Sequence, residues 1–174
     1  MEKEPEEKLR QLNLVLPEAP KPLAAYVPCA RAGNLIFVSG MLPLKEGNLA
    51  YAGKLGKELS LEQGKEAAKL ACLNALSAIK SEIKELKKVS KIVKLTCYVS
   101  STGDFTEQHL VANAASELLI NVFGEKGKHA RAAVGVSSLP KNAAVEIEMV
   151  VEVLQHLKTT KSIYHKIRNK NWIA

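Results

Sequence analysis

His129–Met149, HARAAVGVSSLPKNAAVEIEM, decides how the rest of the chain is read. It reads as two β-strands around a seven-residue connection. The first strand is small and apolar apart from Arg131, and the second sets Glu146 and Glu148 inside a run of Val, Ile and Met. Successive side chains of a strand point to opposite faces. Ala132, Val134 and Val136 therefore share one face of the first strand, and Arg131, Ala133, Gly135 and Ser137 the other. In the second strand Val145, Ile147, Met149, Val151 and Val153 oppose Glu146, Glu148 and Glu152. The apolar faces are expected to meet helices, so Arg131 and the glutamates are expected to project together from the helix-free face. Such a face can simply be solvated. Small residues around one arginine fit a pocket better, because they let a ligand approach the backbone while the guanidinium grips a carboxylate.

Upstream, PEEKLRQL at 5–12 suits a short helix, which Pro17 and PEAPKP end. YVPCARAGNLIFVSGMLPL gives two strands with a turn at Ala32-Gly33-Asn34, and KEGNLAYAGKLGKEL is loop-like with a short strand around Leu49–Ala52. Ser60 and Gln63 form a capping-box sequence. Behind it, apolar residues from Ala68 to Leu86 recur every three or four positions, an amphipathic helix with Lys87 and Lys88 at its end. KIVKLTCYV (91–99) is a strand, and Asp104 to Glu107 repeats the capping pattern before a second helix that Gly124 stops. The expectation is an α+β fold, a single mixed sheet with two helices packed on one face.

The 174 residues suit one domain. It is expected at 26–154, after an N-terminal helix and linker at 1–25 and before a basic tail at 155–174. Hydrophobic and charged contents of 47% and 25% are ordinary for a globular protein. No apolar run reaches the roughly 18 residues of a membrane span. MEKEPEEKLRQ is acidic where a secretory signal would be basic and then apolar, so the cytoplasm is the expected compartment. Cys29, Cys72 and Cys97 are widely spaced, which fits reduced thiols. The net charge is +7, yet Lys158, Lys161, Lys166, Arg168 and Lys170 follow the last acid, Glu152, leaving +7 − 5 = +2 for the rest. The basic character belongs mostly to the tail, which is expected outside the core, as an extension, a helix docked on a neighbour or a binder of anionic surfaces.

ARAAVGV…LPKNAAVEIE together with GNLIFVSGMLPL resembles the RidA/YjgF family of reactive intermediate deaminases, also labelled endoribonuclease L-PSP. The likeness runs from about Tyr26 to Val153. LPEAPKPLAAYVP and the long loop 45–60 are similar to a longer-chain, chorismate mutase-like branch. The resemblance implies a homotrimer with clefts between subunits and no metal or organic cofactor. Arg131 maps onto the arginine that holds the substrate carboxylate, and Glu146 onto the glutamate that positions water. Tyr26, Ser39 and Gly40 match pocket-lining residues, and the Ala133 backbone would hydrogen-bond the substrate. The implied reaction is hydrolysis of 2-imino or 2-enamino acids to 2-keto acids and ammonia. Met41, Ala133, Gly135 and Leu119 depart from the family's usual Gln, Cys or Thr, Glu and aromatic residue, which alters the pocket around the retained pair.

The chemistry also stands on the residues alone. Imines hydrolyse readily, so an anchor for the acid end and one base to orient water suffice, without a nucleophile. The glycines form no phosphate-binding spacing, and the four histidines lack metal-ligand spacing. His129 shares a face with Arg131 and reads either as a surface residue or as part of the pocket rim. There is no GxSxG elbow, and Ser39 has no evident base. Two other classes stay open: a non-catalytic binder of small carboxylates or holdase-like protein, and an endoribonuclease. A nearly neutral domain without basic–aromatic interleaving speaks against nucleic acid as partner.

Overall fold

The computed structural model describes residues 3–19 and 25–154. Along the chain come α1 (Pro5–Gln11), β1 (Cys29–Ala32), β2 (Leu35–Met41), β3 (Leu44–Lys45) and β4 (Asn48–Leu49). They are followed by α2 (Leu61–Ile83), β5 (Val89–Ser100), α3 (Gln108–Phe123), β6 (Ala130–Val136) and β7 (Val145–Val153). The main sheet has the order β1-β2-β7-β5-β6; β3 and β4 pair separately. Only β5 and β6 run parallel in the main sheet; its other neighbours are antiparallel. The expected mixed α+β architecture is present. The two strands of the opening stretch are not neighbours, because β5 lies between them.

α2 starts at the expected capping box, with the Gln63 N–H donating to Ser60 Oγ and the Ser60 N–H to Gln63 Oε1. Ala67, Ala68, Ala71, Cys72, Ala75 and Leu76 are fully buried, and these small residues let α2 lie close to α3 and β7. Ile36, Ile92, Leu95 and Ile147 meet the helices from the sheet. Burial of each such Leu or Ile side chain stabilises by roughly 1.5–3 kcal/mol.

Two boundaries depart from expectation. α2 stops at Ile83, where Lys84 takes φ +74, so Leu86–Lys88 form a separate 3-10 turn. Asp104 does not cap α3: the cap position is Glu107, without a side-chain bond. The Asp104 carboxyl is instead held below the usual carboxylate range, chiefly by the Thr102 side chain.

The N-terminal segment is tied to the core. Leu9 is buried, Glu6 Oε1 accepts the Leu86 N–H at 2.8 Å, and Ser77 Oγ donates to the Pro17 carbonyl at 2.6 Å. The basic tail, 155–174, lies outside the described residues. No described helix is long and apolar enough to cross a membrane.

The face opposite the helices carries Phe37, Val134 and Val150 beside Thr96, Tyr98, Glu146 and Glu148, as register and burial place them. Phe37 and Val134 are 46% and 42% exposed, which makes this face partly apolar. Ala133 and Gly135 were expected there and are not. They pair with Cys97 and Val99, whose side chains are buried under the helices, and so belong to the helix side.

Candidate functional site

β7 carries three carboxylates on the helix-free face, and their partners give each a different job. Glu152 accepts from Asn34 Nδ2 at 2.7 Å and from Ser90 Oγ at 2.8 Å, pinning the β1–β2 turn to β5. Glu148 accepts from the Tyr98 hydroxyl at 3.0 Å. Glu146 enters a cavity of about 150 Å³ lined also by Tyr26, Gly40, Met41, Leu44 and Lys141.

The cavity exists because β2 is irregular. Its register against β7 shifts between Val38 and Met41, so both of these stay in the core while Gly40 turns toward Glu146. A Cβ on Gly40 would overlap the Glu146 carboxylate, so only glycine lets the carboxylate lie over this backbone. Ser39 spends its hydroxyl on the Val27 carbonyl at 2.7 Å, and its N–H on Pro28. It holds the segment bearing Tyr26 and does not itself line the cavity.

The opposite wall is formed by Pro140 and Lys141, and the long loop braces it. The Gly53 N–H donates to the Asn142 carbonyl and the Ala144 N–H to that of Tyr51. These bonds hold the Pro140–Asn142 turn, where Lys141 and Asn142 adopt φ +56 and +61. Asparagine tolerates this left-handed region, but lysine pays about 1–2 kcal/mol there.

Half-buried Glu146 has its carboxyl raised above the usual range, first by burial and then by the Glu148 charge. A raised carboxylate in a mostly apolar recess has the properties of a base that can hold and return a proton.

Arg131 is placed differently from expectation. In register it pairs with buried Leu95 and reaches the helix side, where Nη1 donates to Asn113 Oδ1 at 2.7 Å and to Ser116 Oγ at 3.1 Å. Glu146 pairs with Tyr98 on the other face. Within the chain the two residues thus lie on opposite faces, two strand spacings or about 10 Å apart across the sheet. The shared face expected from alternation was wrong because the alanines and glycine of β6 are too small for their apolarity to choose a side. Ala133 sits partly buried against the core beside Arg131.

Of the residues expected at one site, Tyr26, Gly40 and Glu146 line the same cavity, whereas Arg131 and Ala133, expected beside them, lie on the other face of the sheet. Asn113 and Ser116 were not among the expected site residues, although each directly follows a buried alanine of α3, Ala112 and Ala115, at a three-residue spacing. His129 lies with Arg131, its Nε2 at 3.1 Å from Ser116 Oγ. Among the described residues no group of His, Cys, Asp or Glu could hold a metal. Cys72 and Cys97 are buried thiols, Cys97 raised to about 12 by burial, and neither is a nucleophile.

This fold and cleft define a class. The sequence matches the family described as "YjgF/chorismate mutase-like, putative endoribonuclease" over residues 6–153, and the chain belongs to it. Protein TCP17 of Trypanosoma cruzi is 41% identical over 146 residues, covering 83% of this chain and 91% of that one. The crystal structure of Atu1372 from Agrobacterium tumefaciens superposes with a TM-score of 0.82 at 43% identity, covering 86% of this chain and 92% of that one. A 37-residue stretch is 56% identical to the 3-aminoacrylate deaminase RutC of Acinetobacter baylyi, covering 21% of this chain and 29% of that protein.

Proposed function

We propose that the protein hydrolyses 2-imino and 2-enamino acids to 2-keto acids and ammonia, as a homotrimer whose clefts lie between subunits. The observation that carries this reading is the Glu146 carboxylate, raised by burial and seated over Gly40 in the cavity. Glu146 takes a proton from water as its oxygen attacks C2 of the imine. It passes that proton to nitrogen, giving a carbinolamine; the hydroxyl proton then follows through Glu146 to the same nitrogen as the C–N bond breaks, releasing ammonia and leaving the carbonyl. Atoms balance with one water and no cofactor in the scheme.

Arg131 anchors the carboxylate, and it does so from a neighbouring copy. β6 is an edge strand, so its residues are available to a second protomer, while the partner's Glu146 supplies the base. The partly apolar face with Phe37 and Val134 supports association as well. Light scattering at micromolar concentration should give the trimer mass; a monomer would end the shared-cleft reading.

The decisive assay follows imine loss with several amino-acid-derived imines. Glu146→Gln keeps shape but accepts no proton, so kcat should fall roughly a hundredfold while 2-keto acid binding persists. Arg131→Lys keeps charge and loses the two-pronged fit, costing on the order of 2–5 kcal/mol, a rate loss well above tenfold. Full activity of either variant would overturn the assignment. Binding that survives in a parent without turnover would mark a carboxylate-binding protein instead.

A further inference from the structure

We infer that Asn113, Ser116 and His129 form a positioning relay that aims the Arg131 guanidinium at a carboxylate. This rests on the reading of Arg131 as the anchor and gives three further residues a part in binding.

Both bonds from Arg131 to α3 leave the same terminal nitrogen, Nη1: 2.7 Å to Asn113 Oδ1 and 3.1 Å to Ser116 Oγ. Two hydrogens on Nη1 are thereby committed. Nε and Nη2 donate to nothing among the described residues, and their shared edge presents two parallel N–H groups. That is the edge a carboxylate takes with both oxygens.

The hydrogen bonds behind Ser116 run in one sense only. The Gly127 carbonyl can only accept, so His129 Nδ1, 2.6 Å away, carries the proton. In the neutral ring Nε2 is then bare and accepts from the Ser116 hydroxyl at 3.1 Å. A lone pair of Ser116 Oγ is left for Arg131. The far end is fixed too, because Gly127 lies so close to the Leu119 carbonyl that a Cβ there would overlap it. Asn113, Ser116 and the backbone that holds Gly127 all belong to, or abut, one helix. The guanidinium is therefore located by a single rigid element.

The ring's state matters to this order. Charged and titratable groups on the packed elements are Arg131, His109, Glu117, Lys91, Lys94, Lys126 and the Glu125–Lys128 pair at 2.7 Å. Of these, Arg131 is the one whose charge acts on the imidazole: burial chiefly holds the ring below its ordinary range, the bond to the Gly127 carbonyl opposes this, and the Arg131 charge adds to the lowering. Protonation would turn Nε2 into a donor, leaving Ser116 Oγ facing donors from two cations.

The test uses the full chain, with kcat and KM for imine hydrolysis, pyruvate binding by calorimetry, and the melting temperature. Ser116→Ala and Asn113→Leu should each raise KM and the pyruvate Kd about tenfold, with kcat within about twofold. Melting temperatures should stay within about 2 °C of the parent. Ser116→Thr and Asn113→Asp keep the accepting oxygen and should restore KM. The parent's KM should rise as pH falls below the imidazole range, and His129→Gln should flatten that rise. Unchanged KM in both disrupting variants overturns the relay, as does a KM loss that follows melting temperature without rescue. Failure of the deaminase reading looks different: no turnover by the parent, but pyruvate binding that Ser116→Ala weakens, which keeps the relay. A parent that neither binds pyruvate nor turns over imines removes the anchor and the relay together.

Discussion

β7 and β6 come from one stretch of sequence and carry the same kind of alternation, yet only β7 obeys it simply. β7 has β2 on one side and β5 on the other, with α2 across one face. Val145, Ile147, Met149, Val151 and Val153 are all buried, and the residues between them are not. β6 sits at the edge, paired only with β5, and its exposure shows no clean period of two. A central strand has its faces chosen by large side chains on both flanks. An edge strand of alanine, valine and glycine has little apolar difference between its faces, so its partners choose. Here α3 chooses, by offering Asn113 and Ser116 to Arg131.

The first way to sharpen this contrast is to truncate both strands. Ile147→Ala leaves a cavity under the helices and should cost about 2–5 kcal/mol in denaturant unfolding. Val134→Ala on the exposed side of β6 should cost far less, about 0.5 kcal/mol within a protomer. Equal losses would show that the edge strand is held as firmly as the centre. An effect of Val134→Ala that depends on protein concentration would instead locate the subunit contact on that face.

The same contrast explains what could be read in advance. The capping box, the alanine-rich stripe of α2 and the row of glutamates on β7 were legible because each follows from local spacing. Gly40 beneath Glu146 was placed by resemblance, and its physical reason, a register shift in β2, is not a property of any one residue. The side taken by Arg131 was illegible because it depends on parallel pairing with β5, and pairing partners are distant in sequence. One clue was present: Cys97 and Leu95 had to be core, and parallel partners share their side.

A smaller effect distinguishes the glutamates of β7 by their partners. Glu152→Ala strips Asn34 and Ser90 of an acceptor and should cost roughly 1–3 kcal/mol of stability without altering the cavity. Urea unfolding measures the loss, and steady-state rates at neutral pH should stay near the parent's. A drop in kcat as large as that of Glu146→Gln would break the division of labour between the two ends of the strand.

The smallest effect concerns Glu148, which touches the site only through its charge. Glu146 must be ionised to accept a proton, so activity should fall as pH drops through its raised range. Burial is the larger cause of that elevation and the Glu148 charge the smaller. Glu148→Gln removes the charge while keeping an oxygen for the Tyr98 hydroxyl. The acid limb of kcat/KM should therefore move to lower pH, toward the ordinary carboxylate range without reaching it, because burial remains. On the plateau above that limb, kcat should stay within about twofold. The pH–rate profile of the variant beside the parent measures the shift. A limb that does not move would mean that Glu148 exerts no field on the base, and one that moves to higher pH would show that the titrating group is not a carboxylate repelled by its neighbour.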